Sequence, residues 1–482
     1  MMDQLQPLDA LFLDLENDEV KANIGGLSIF EGPAPSLEEL ARRIDANLGF
    51  SSRYRRRLQF LPLRLTSPVW VDDAEFDVAN HVSRARLHAP ADHDQLAQAF
   101  AEFAAKRIDR ERPLWQVCLY EGLPKGRWAL GWKVHHAMVD GIAATEMLTL
   151  VLDSERESSE PAPGRWQPSV PPRRSRVLAD TLIGPQGPSK PLRDLGRAIA
   201  APRRAARRGR ETVRALMPIG RTLVTANKSP LNGPIGPRRR WANARVSLDD
   251  VKTIGKTLGG TVNDVVLAAV AGGIRELLMQ RGEPLDAFDA RSMVPVSMRV
   301  EDEQGKWANQ VSAVFIELPV DVDDPVERLA NVHRQMERAK RERGQTVGAV
   351  LFGLAGYLPP PVWKLGERVA WRVADPQRLM NTITTNVPGP QVPLYCLGRE
   401  MLELYPFVML AKNIRVTTAI FSYNGNMFFG VTGDYDTVPD IDQIGEGVES
   451  GVAELLLIAA ARANTRPTMV HDRQPTADSH RR

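Results

Sequence analysis

The heptapeptide HHAMVDG at residues 135–141 joins two runs of different periodicity. The run before it, 128–134 (WALGWKV), is apolar and has the composition of a buried strand. The run after it, 142–152, spaces its apolar residues three and four apart, as a helix does. Asp140 occupies the position of a helix N-cap, with Gly141 at the turn. The pattern predicts that both histidines lie on a strand-to-helix loop, where a scaffold presents side chains to a substrate.

Three interpretations of His135 and His136 are open on the residues alone. Each ring can be a packed structural histidine. With Asp140 they can be metal ligands, but a tetrahedral site needs further ligands, and the other histidines are scattered without ligand spacing. One ring can be a general base, because a neutral imidazole with a pKa near 6.5 accepts a hydroxyl proton at neutral pH. A neighbouring carboxylate would then fix the loop or the ring. We predict no metal site.

The rest of the chain repeats this mixture of patterns on both sides of a proline- and arginine-rich stretch. The length of 482 residues suits two to three domains. We predict an α/β fold with an N-terminal subdomain at 1–160, a linker at 161–239, a C-terminal subdomain at 240–465 and a flexible tail at 466–482. The predicted strands are 25–30, 128–134, 312–318 and 426–432. The predicted helices are 96–107, 142–152, 247–258, 263–280 and 440–463.

The linker is basic and offers little apolar area. Five prolines lie between positions 161 and 172, and nine lysines and arginines stand between 190 and 214 against two acidic residues. A solvated connecting helix and a cationic face on anionic lipid headgroups are both open. Nucleic acid is the least favoured partner, because the stretch lacks aromatic side chains on which bases could stack.

Composition excludes several classes of function. The chain has 62 basic and 59 acidic residues, too even a balance for chain-wide nucleic-acid binding. Its two cysteines, Cys118 and Cys396, suit a reducing compartment. The first twenty residues are acidic, so we predict no secretory signal. The longest apolar runs, 265–274 and 347–358, are too short to span about 30 Å of hydrocarbon as helices. Any membrane contact is therefore predicted to be peripheral.

The motif HHAMVDG matches the HHxxxDG motif of the acyl-CoA-dependent acyltransferases related to chloramphenicol acetyltransferase and to peptide-synthetase condensation domains. Further segments narrow the resemblance to the bacterial wax ester synthase/diacylglycerol acyltransferase family. They are PLDALFL at 7–13, RPLW at 112–115, VNDV at 262–265, PVSMR at 295–299, NVPGP at 386–390 and SYNG at 422–425. The sequence departs from the family pattern at Gln6, where serine is common, and at Ala22-Asn23, where a Met-His pair often precedes the two glycines. These departures bear on substrate preference more than on the reaction.

The resemblance implies two chloramphenicol-acetyltransferase-like subdomains with the active site between them. It implies acyl transfer from acyl-CoA to the hydroxyl of diacylglycerol or of a long-chain alcohol, giving triacylglycerol or wax ester. His136 would be the general base and His135 a positioning residue. Asp140 would organise the loop, and Gly141 would leave room for the acyl donor. Acyl-CoA is a co-substrate, and no cofactor is implied.

Four residues outside the motif are further candidates. Asn263 is the N-cap of the following helix, an amide donor to the oxyanion, or both, and Asp264 is expected to support the site. Trp115, beside Pro113, is either a core residue or a scaffold for the site.

Two alternatives to this function stay open: transfer to another lipid or polyketide hydroxyl, and a non-catalytic lipid-binding paralogue. Long acyl chains imply an apolar tunnel that excludes water. We expect a cytoplasmic protein that works at the inner face of the membrane or on lipid droplets. No nucleic-acid partner and no oligomeric state are predicted.

Overall fold

The computed structural model describes residues 3–5, 7–60, 68–138, 143–157, 166–170, 229–287, 289–301, 307–341 and 380–464. The α-helices are α1 (Pro7–Leu15), α2 (Leu37–Asn47), α3 (His93–Ala104), α4 (Leu248–Leu258), α5 (Val262–Gln280), α6 (Pro325–Arg341) and α7 (Asp442–Asn464). The strands are β1 (Asn23–Phe30), β2 (Arg56–Gln59), β3 (Val69–Asp72), β4 (Val82–Arg86), β5 (Trp115–Glu121), β6 (Trp128–His135), β7 (Arg239–Ser247), β8 (Ala290–Glu301), β9 (Trp307–Leu318), β10 (Thr382–Pro388), β11 (Tyr395–Cys396), β12 (Arg399–Phe407), β13 (Val416–Tyr423) and β14 (Asn426–Asp434).

The strand that leads to the histidines lies in the middle of the first sheet. This sheet has the order β11-β12-β1-β6-β5-β4, and all its pairs are antiparallel except β4 with β5. Every residue of β6 is buried, which explains why its sequence is apolar except for Lys133 and His135. The register pairs Asn23 with His135 across β1 and β6. The sheet therefore fixes where the histidine motif begins.

The second sheet separates the helices of the C-terminal half from the N-terminal half. Its order is β7-β14-β13-β10-β8-β9. Adjacent residues of its strands belong to different cores because side chains alternate along a strand. Ile420 and Phe429 pack in the core that holds α4, α5 and α7, whereas Phe421 and Phe428 pack in the core of the N-terminal half. The predicted α/β fold in two halves is confirmed.

A strand from the C-terminal half completes the sheet of the N-terminal half. Strand β12 pairs antiparallel with β1, with Gly25 opposite Phe407 and Leu27 opposite Tyr405. A Cβ atom at Gly26 would meet the carbonyl oxygen of Tyr405 in β12 at 2.9 Å, so this close strand packing favours glycine. Residues 395–407, inside the predicted C-terminal subdomain 240–465, thus bind the two halves together.

Three predicted features need comment. The helix predicted at 142–152 is a 3-10 helix, Ala143–Leu150. The prediction that Asn263 caps the following helix is wrong. Thr261 is the N-cap, because its hydroxyl and the Asp264 carboxylate bond reciprocally in a capping box. The described residues do not include the nine basic positions of the linker. They also do not include the tail from 466 onward.

Candidate active site

The turn after β6 is held by hydrogen bonds on both sides of His136. The amide of His136 donates to the carbonyl of Ala22 at 2.7 Å, and the amide of Met138 donates to that of His135 at 2.8 Å. Arg53 Nη1 donates to the Met138 carbonyl at 3.1 Å. These bonds tie the turn to β1 and to the segment before β2, so the position of His136 is set by the backbone.

The ring of His136 stacks on the ring of Phe12 in α1. Their centroids are 3.8 Å apart and their planes differ by 14°. Phe12 also packs against a buried apolar cluster that both halves supply. The cluster consists of Val20, Ala22, Ile235, Met409 and Leu410. His136 therefore lies one side chain away from residues of the C-terminal half.

His135 is fully buried beneath this turn. Its Nδ1 accepts a hydrogen bond from the amide of Ala137 at 3.0 Å. An acceptor nitrogen carries no proton, so the neutral ring holds its proton on Nε2. That nitrogen lies 3.8 Å from Glu16 Oε1. Burial lowers the pKa of His135 and favours the neutral ring, although Glu16 opposes this.

Glu16 follows the last residue of α1 and carries a buried carboxylate. Its Oε2 accepts from Arg110 Nη2 at 2.6 Å and lies 3.3 Å from Arg107 Nε. Burial alone would raise the pKa of Glu16, but His135 and Arg110 together outweigh it and hold the pKa at about 2. Arg110 also donates to the carbonyl of Leu13 at 2.8 Å. The carboxylate is thus ionised and links α1 to the histidine motif.

The predicted site residues Pro113 and Trp115 support the turn through the backbone. The carbonyl of Leu114, between them, accepts from the amide of His135 at 2.9 Å. Trp115 is fully buried, its Nε1 donates to the carbonyl of Tyr54 at 2.8 Å, and its ring stacks on His81 at 4.4 Å. Trp115 is therefore a core residue, and its role as a scaffold for the histidines stays a prediction.

Asn263 and Asp264 lie at the N-terminus of α5 in the other half. Asp264 Oδ2 accepts from the Thr261 amide at 2.8 Å and lies 2.8 Å from His333 Nδ1. Asn263 Oδ1 accepts from Asn386 Nδ2 at 3.2 Å, which joins two of the sequence motifs. These bonds show how the segment is held, and the oxyanion role of Asn263 stays a prediction.

The structure brings Pro113, Trp115 and His135 together around the turn. Asp140 and Gly141 lie outside the described residues. Sequence reasoning missed Phe12 and Glu16. A signal was present, since the run FLDLE at 12–16 ends in an acidic residue and the later run KRIDRER at 106–112 is basic. Glu16 pairs with arginines about ninety residues later in the chain, and a local sequence pattern does not show such a contact.

The described residues show neither a metal-binding cluster nor a single membrane-spanning helix. They contain no group of three or more His, Cys, Asp or Glu side chains placed to hold a metal ion. No single helix among them is long and apolar enough to cross a membrane, and α4 with α5 reaches that length only across a 99° bend.

Solved structures of low sequence identity define the fold. The first condensation domain of the CDA synthetase has 15% sequence identity and a TM-score of 0.55, and 96% of each chain is covered. The starter condensation domain of rhizomide synthetase RzmA, in complex with C8-CoA and Leu-SNAC, has 13% identity and a TM-score of 0.54, with 95% of this chain and 94% of that chain covered. At these identities the likeness establishes the fold alone, which is that of the condensation domains.

Closer relatives define the family. The family model of the wax ester synthase/diacylglycerol acyltransferase catalytic domain matches residues 5–266, and the model of the C-terminal domain matches 307–456. The chain is 38% identical over 470 residues to the probable diacylglycerol O-acyltransferase tgs1 of Mycobacterium tuberculosis, covering 96% of this chain and 98% of that one. The wax ester synthase/diacylglycerol acyltransferase from Marinobacter aquaeolei VT8 is 28% identical with a TM-score of 0.68, covering 95% and 100%. The chain belongs to this family and is an acyltransferase.

Proposed function

We propose that this protein transfers a long-chain acyl group from acyl-CoA to the free hydroxyl of diacylglycerol, with His136 as the general base. The names of the mycobacterial relatives support the acceptor. The observation that carries the role of His136 is its position on a backbone-fixed turn, stacked on Phe12 at the boundary of the two halves.

For this reaction the protein needs to position the hydroxyl against the thioester and to accept one proton. The acceptor hydroxyl oxygen attacks the thioester carbonyl and passes its proton to His136. The carbon–sulfur bond then breaks as the ester forms, and the proton goes to the departing CoA sulfur. A thioester is already activated, so no covalent enzyme intermediate is needed. A positioned base contributes roughly 10²–10⁴-fold to such a rate.

Long-chain alcohols are the second acceptor class that we propose. The name of the family and that of the Marinobacter relative include wax ester synthesis. Both acceptors present a primary or secondary hydroxyl on an apolar body, so one base serves both. The preference between them depends on the shape of the acceptor channel.

We also propose that the protein works at a lipid surface on the cytoplasmic side of the membrane or on lipid droplets. The product is insoluble in water, and the linker supplies a run of arginines suited to anionic headgroups. Replacing Arg203, Arg204, Arg207 and Arg208 with glutamine should reduce flotation with anionic liposomes while flotation with neutral liposomes is unchanged. Equal flotation of both proteins with anionic liposomes would contradict the proposed role of the linker.

Purified protein with radiolabelled palmitoyl-CoA, offered dioleoylglycerol and hexadecanol in parallel, tests the reaction and the base together. His136→Ala should lower product formation by roughly 10²-fold or more. His88→Ala, at an exposed loop position, is the matched control and should keep full activity. Release of CoA without either lipid product would mean that water takes the acyl group in this assay, and would point to an acceptor that was not offered, such as a glycolipid or polyketide hydroxyl. No CoA release from the unmodified protein would favour a lipid-binding paralogue.

A further inference from the structure

Helix α1 touches both histidines of the motif. Phe12 stacks on His136, and Glu16, four residues later, faces His135. Residues four apart project from the same side of a helix, so Phe12 in α1 and Glu16 just after it face the two histidines from one side. The stacking contact is apolar, whereas the second contact is a buried ionised carboxylate. Such a group is costly to bury, and its placement needs a reason.

We propose that Glu16 is a positioning residue that holds His135 in its Nε2-protonated form and thereby fixes the turn that presents His136. This inference rests on the proposed role of His136 as the base. Glu16 touches no reacting atom in this scheme and acts through His135.

The contacts of His135 depend on which nitrogen carries the proton. The Ala137 amide needs an unprotonated Nδ1 as its acceptor. Moving the proton to Nδ1 would set two N–H groups against each other and open the turn one residue after His136. The carboxylate of Glu16 opposes that change, because it faces Nε2 at 3.8 Å and stabilises a proton there. Neither Glu16 Oε1 nor His135 Nε2 has a hydrogen-bond partner among the described residues, so at 3.8 Å the two atoms interact through charge alone.

The arginines explain how the carboxylate stays in place. Arg110 holds Oε2 and also the Leu13 carbonyl, so it fixes both Glu16 and the end of α1. Arg107 approaches the same oxygen from a half-exposed position. With Oε2 occupied in this way, Oε1 is left to face the imidazole. Arg107 and Arg110 thus contact Glu16, and Glu16 faces His135, so these contacts connect the protein surface to the buried imidazole.

The first test replaces Glu16 with glutamine, which keeps the shape and removes the charge. Glu16→Gln should lower kcat by roughly 10–100-fold, because small misplacement of a catalytic group has effects of that size. The KM for palmitoyl-CoA should change by less than about twofold, since no substrate contact is lost. Glu111→Gln, an exposed carboxylate in the same connection as Arg110, is the matched control and should leave both constants unchanged.

The second test separates positioning from general support of the fold. Glutamine at position 135 places an amide donor near the site of Nε2, whereas asparagine places its amide near Nδ1. His135→Gln should therefore keep several-fold more kcat than His135→Asn, and this difference should vanish in the Glu16→Gln background. Equal kcat of the two variants in the otherwise unmodified protein would overturn the proposal. That comparison also decides the matter if Glu16→Gln does not fold.

A measurement without turnover keeps this inference separate from the proposed reaction. In protein labelled with ¹⁵N-histidine, the His135 Nε2 signal, assigned by its loss in His135→Gln, should show a bonded proton at neutral pH. In Glu16→Gln the signal should move toward a mixture of the two tautomers. An unchanged signal would overturn the proposal. Absence of acyl transfer by the unmodified protein, with both signals as expected, would instead count against the proposed reaction and leave the assignment of the His135 tautomer standing.

Discussion

The imidazole of His136 lies almost parallel to the ring of Phe12, with 3.8 Å between their centroids. A flat apolar ring on one face restricts how the imidazole can rotate and leaves its edges as the groups that meet a substrate. Phe12 itself is held by residues of both halves, including Met409. The orientation of His136 thus depends on contacts that form only when the two halves are assembled.

Phe12→Leu should lower kcat by roughly tenfold, because leucine keeps the apolar contact but loses the stacking surface. Phe12→Tyr should keep most of the activity, since its ring can stack in the same way. The measurement is kcat with saturating palmitoyl-CoA and dioleoylglycerol. Phe103→Leu, at a half-buried position of α3, is the control and should stay close to the unmodified protein. Equal rates for Phe12→Leu and Phe12→Tyr would show that the stacked ring does not orient the base.

Arg53 is an exposed residue whose side chain holds the Met138 carbonyl at 3.1 Å. Arg53→Ala should lower kcat by roughly tenfold while thermal stability changes little, because an exposed side chain adds little to folding. Arg84 is also exposed and lies near Glu121 on β5, so Arg84→Ala is the control and should be neutral in both assays. If Arg53→Ala lost thermal stability as well as kcat, the residue would support the fold in general and not the turn in particular.

Local features of the fold were predictable from sequence because they depend on neighbouring residues. The strand expected at 128–134 occurs as Trp128–His135, and the helix expected at 263–280 occurs as Val262–Gln280. Both rest on the spacing of apolar side chains, which one segment displays by itself. The prediction of Asn263 as the N-cap was wrong because Thr261 and Asp264 form a capping box together. That reciprocal pair starts the helix before Asn263.

Features that join distant segments were not predictable from periodicity. Strand β12 enters the N-terminal sheet beside β1, although nearly four hundred residues separate them in sequence. The contact of Glu16 with Arg110 likewise depends on where α1 docks. A pattern in one segment carries no information about its partner, so these contacts required the three-dimensional structure. The histidine motif identified the site, and the residues that hold it came from the fold.

Asp264 completes the capping box that Thr261 begins at α5 and lies 2.8 Å from His333 Nδ1, so we expect its role to be structural. Asp264→Ala should lower the free energy of unfolding by about 2–3 kcal/mol, because it removes a cap and a buried hydrogen bond. The kcat of the folded protein should fall by less than about threefold. Urea unfolding at 25 °C measures the first quantity. Asp249→Ala, in the first turn of α4 and 84% exposed at the side chain, is the control, with an expected change of about 0.5 kcal/mol or less. A large loss of kcat at full stability would place Asp264 in the chemistry.

Lys133 lies two residues before His135 and is fully buried. Burial lowers the pKa of Lys133 to about 7, although its Nζ donates to the carbonyls of Phe103 and Lys106. Between pH 7 and pH 10 the unfolded chain therefore binds more protons at this lysine than the folded chain does. The free energy of unfolding gains a contribution from Lys133 that rises with pH across this window, by at most about 1.4 kcal/mol per pH unit.

Lys133→Met removes this proton equilibrium. The difference in the free energy of unfolding between the unmodified protein and Lys133→Met should grow in favour of the unmodified protein from pH 7 to pH 10. Urea unfolding of both proteins at pH 7, 8, 9 and 10 gives that difference directly. Gln116→Met is the control, because Gln116 lies opposite Lys133 in the register of β5 and β6 and does not titrate. Its effect should be the same at every pH. A constant difference for Lys133→Met as well would mean that Lys133 keeps its proton in the folded protein, held by the two carbonyls at the end of α3.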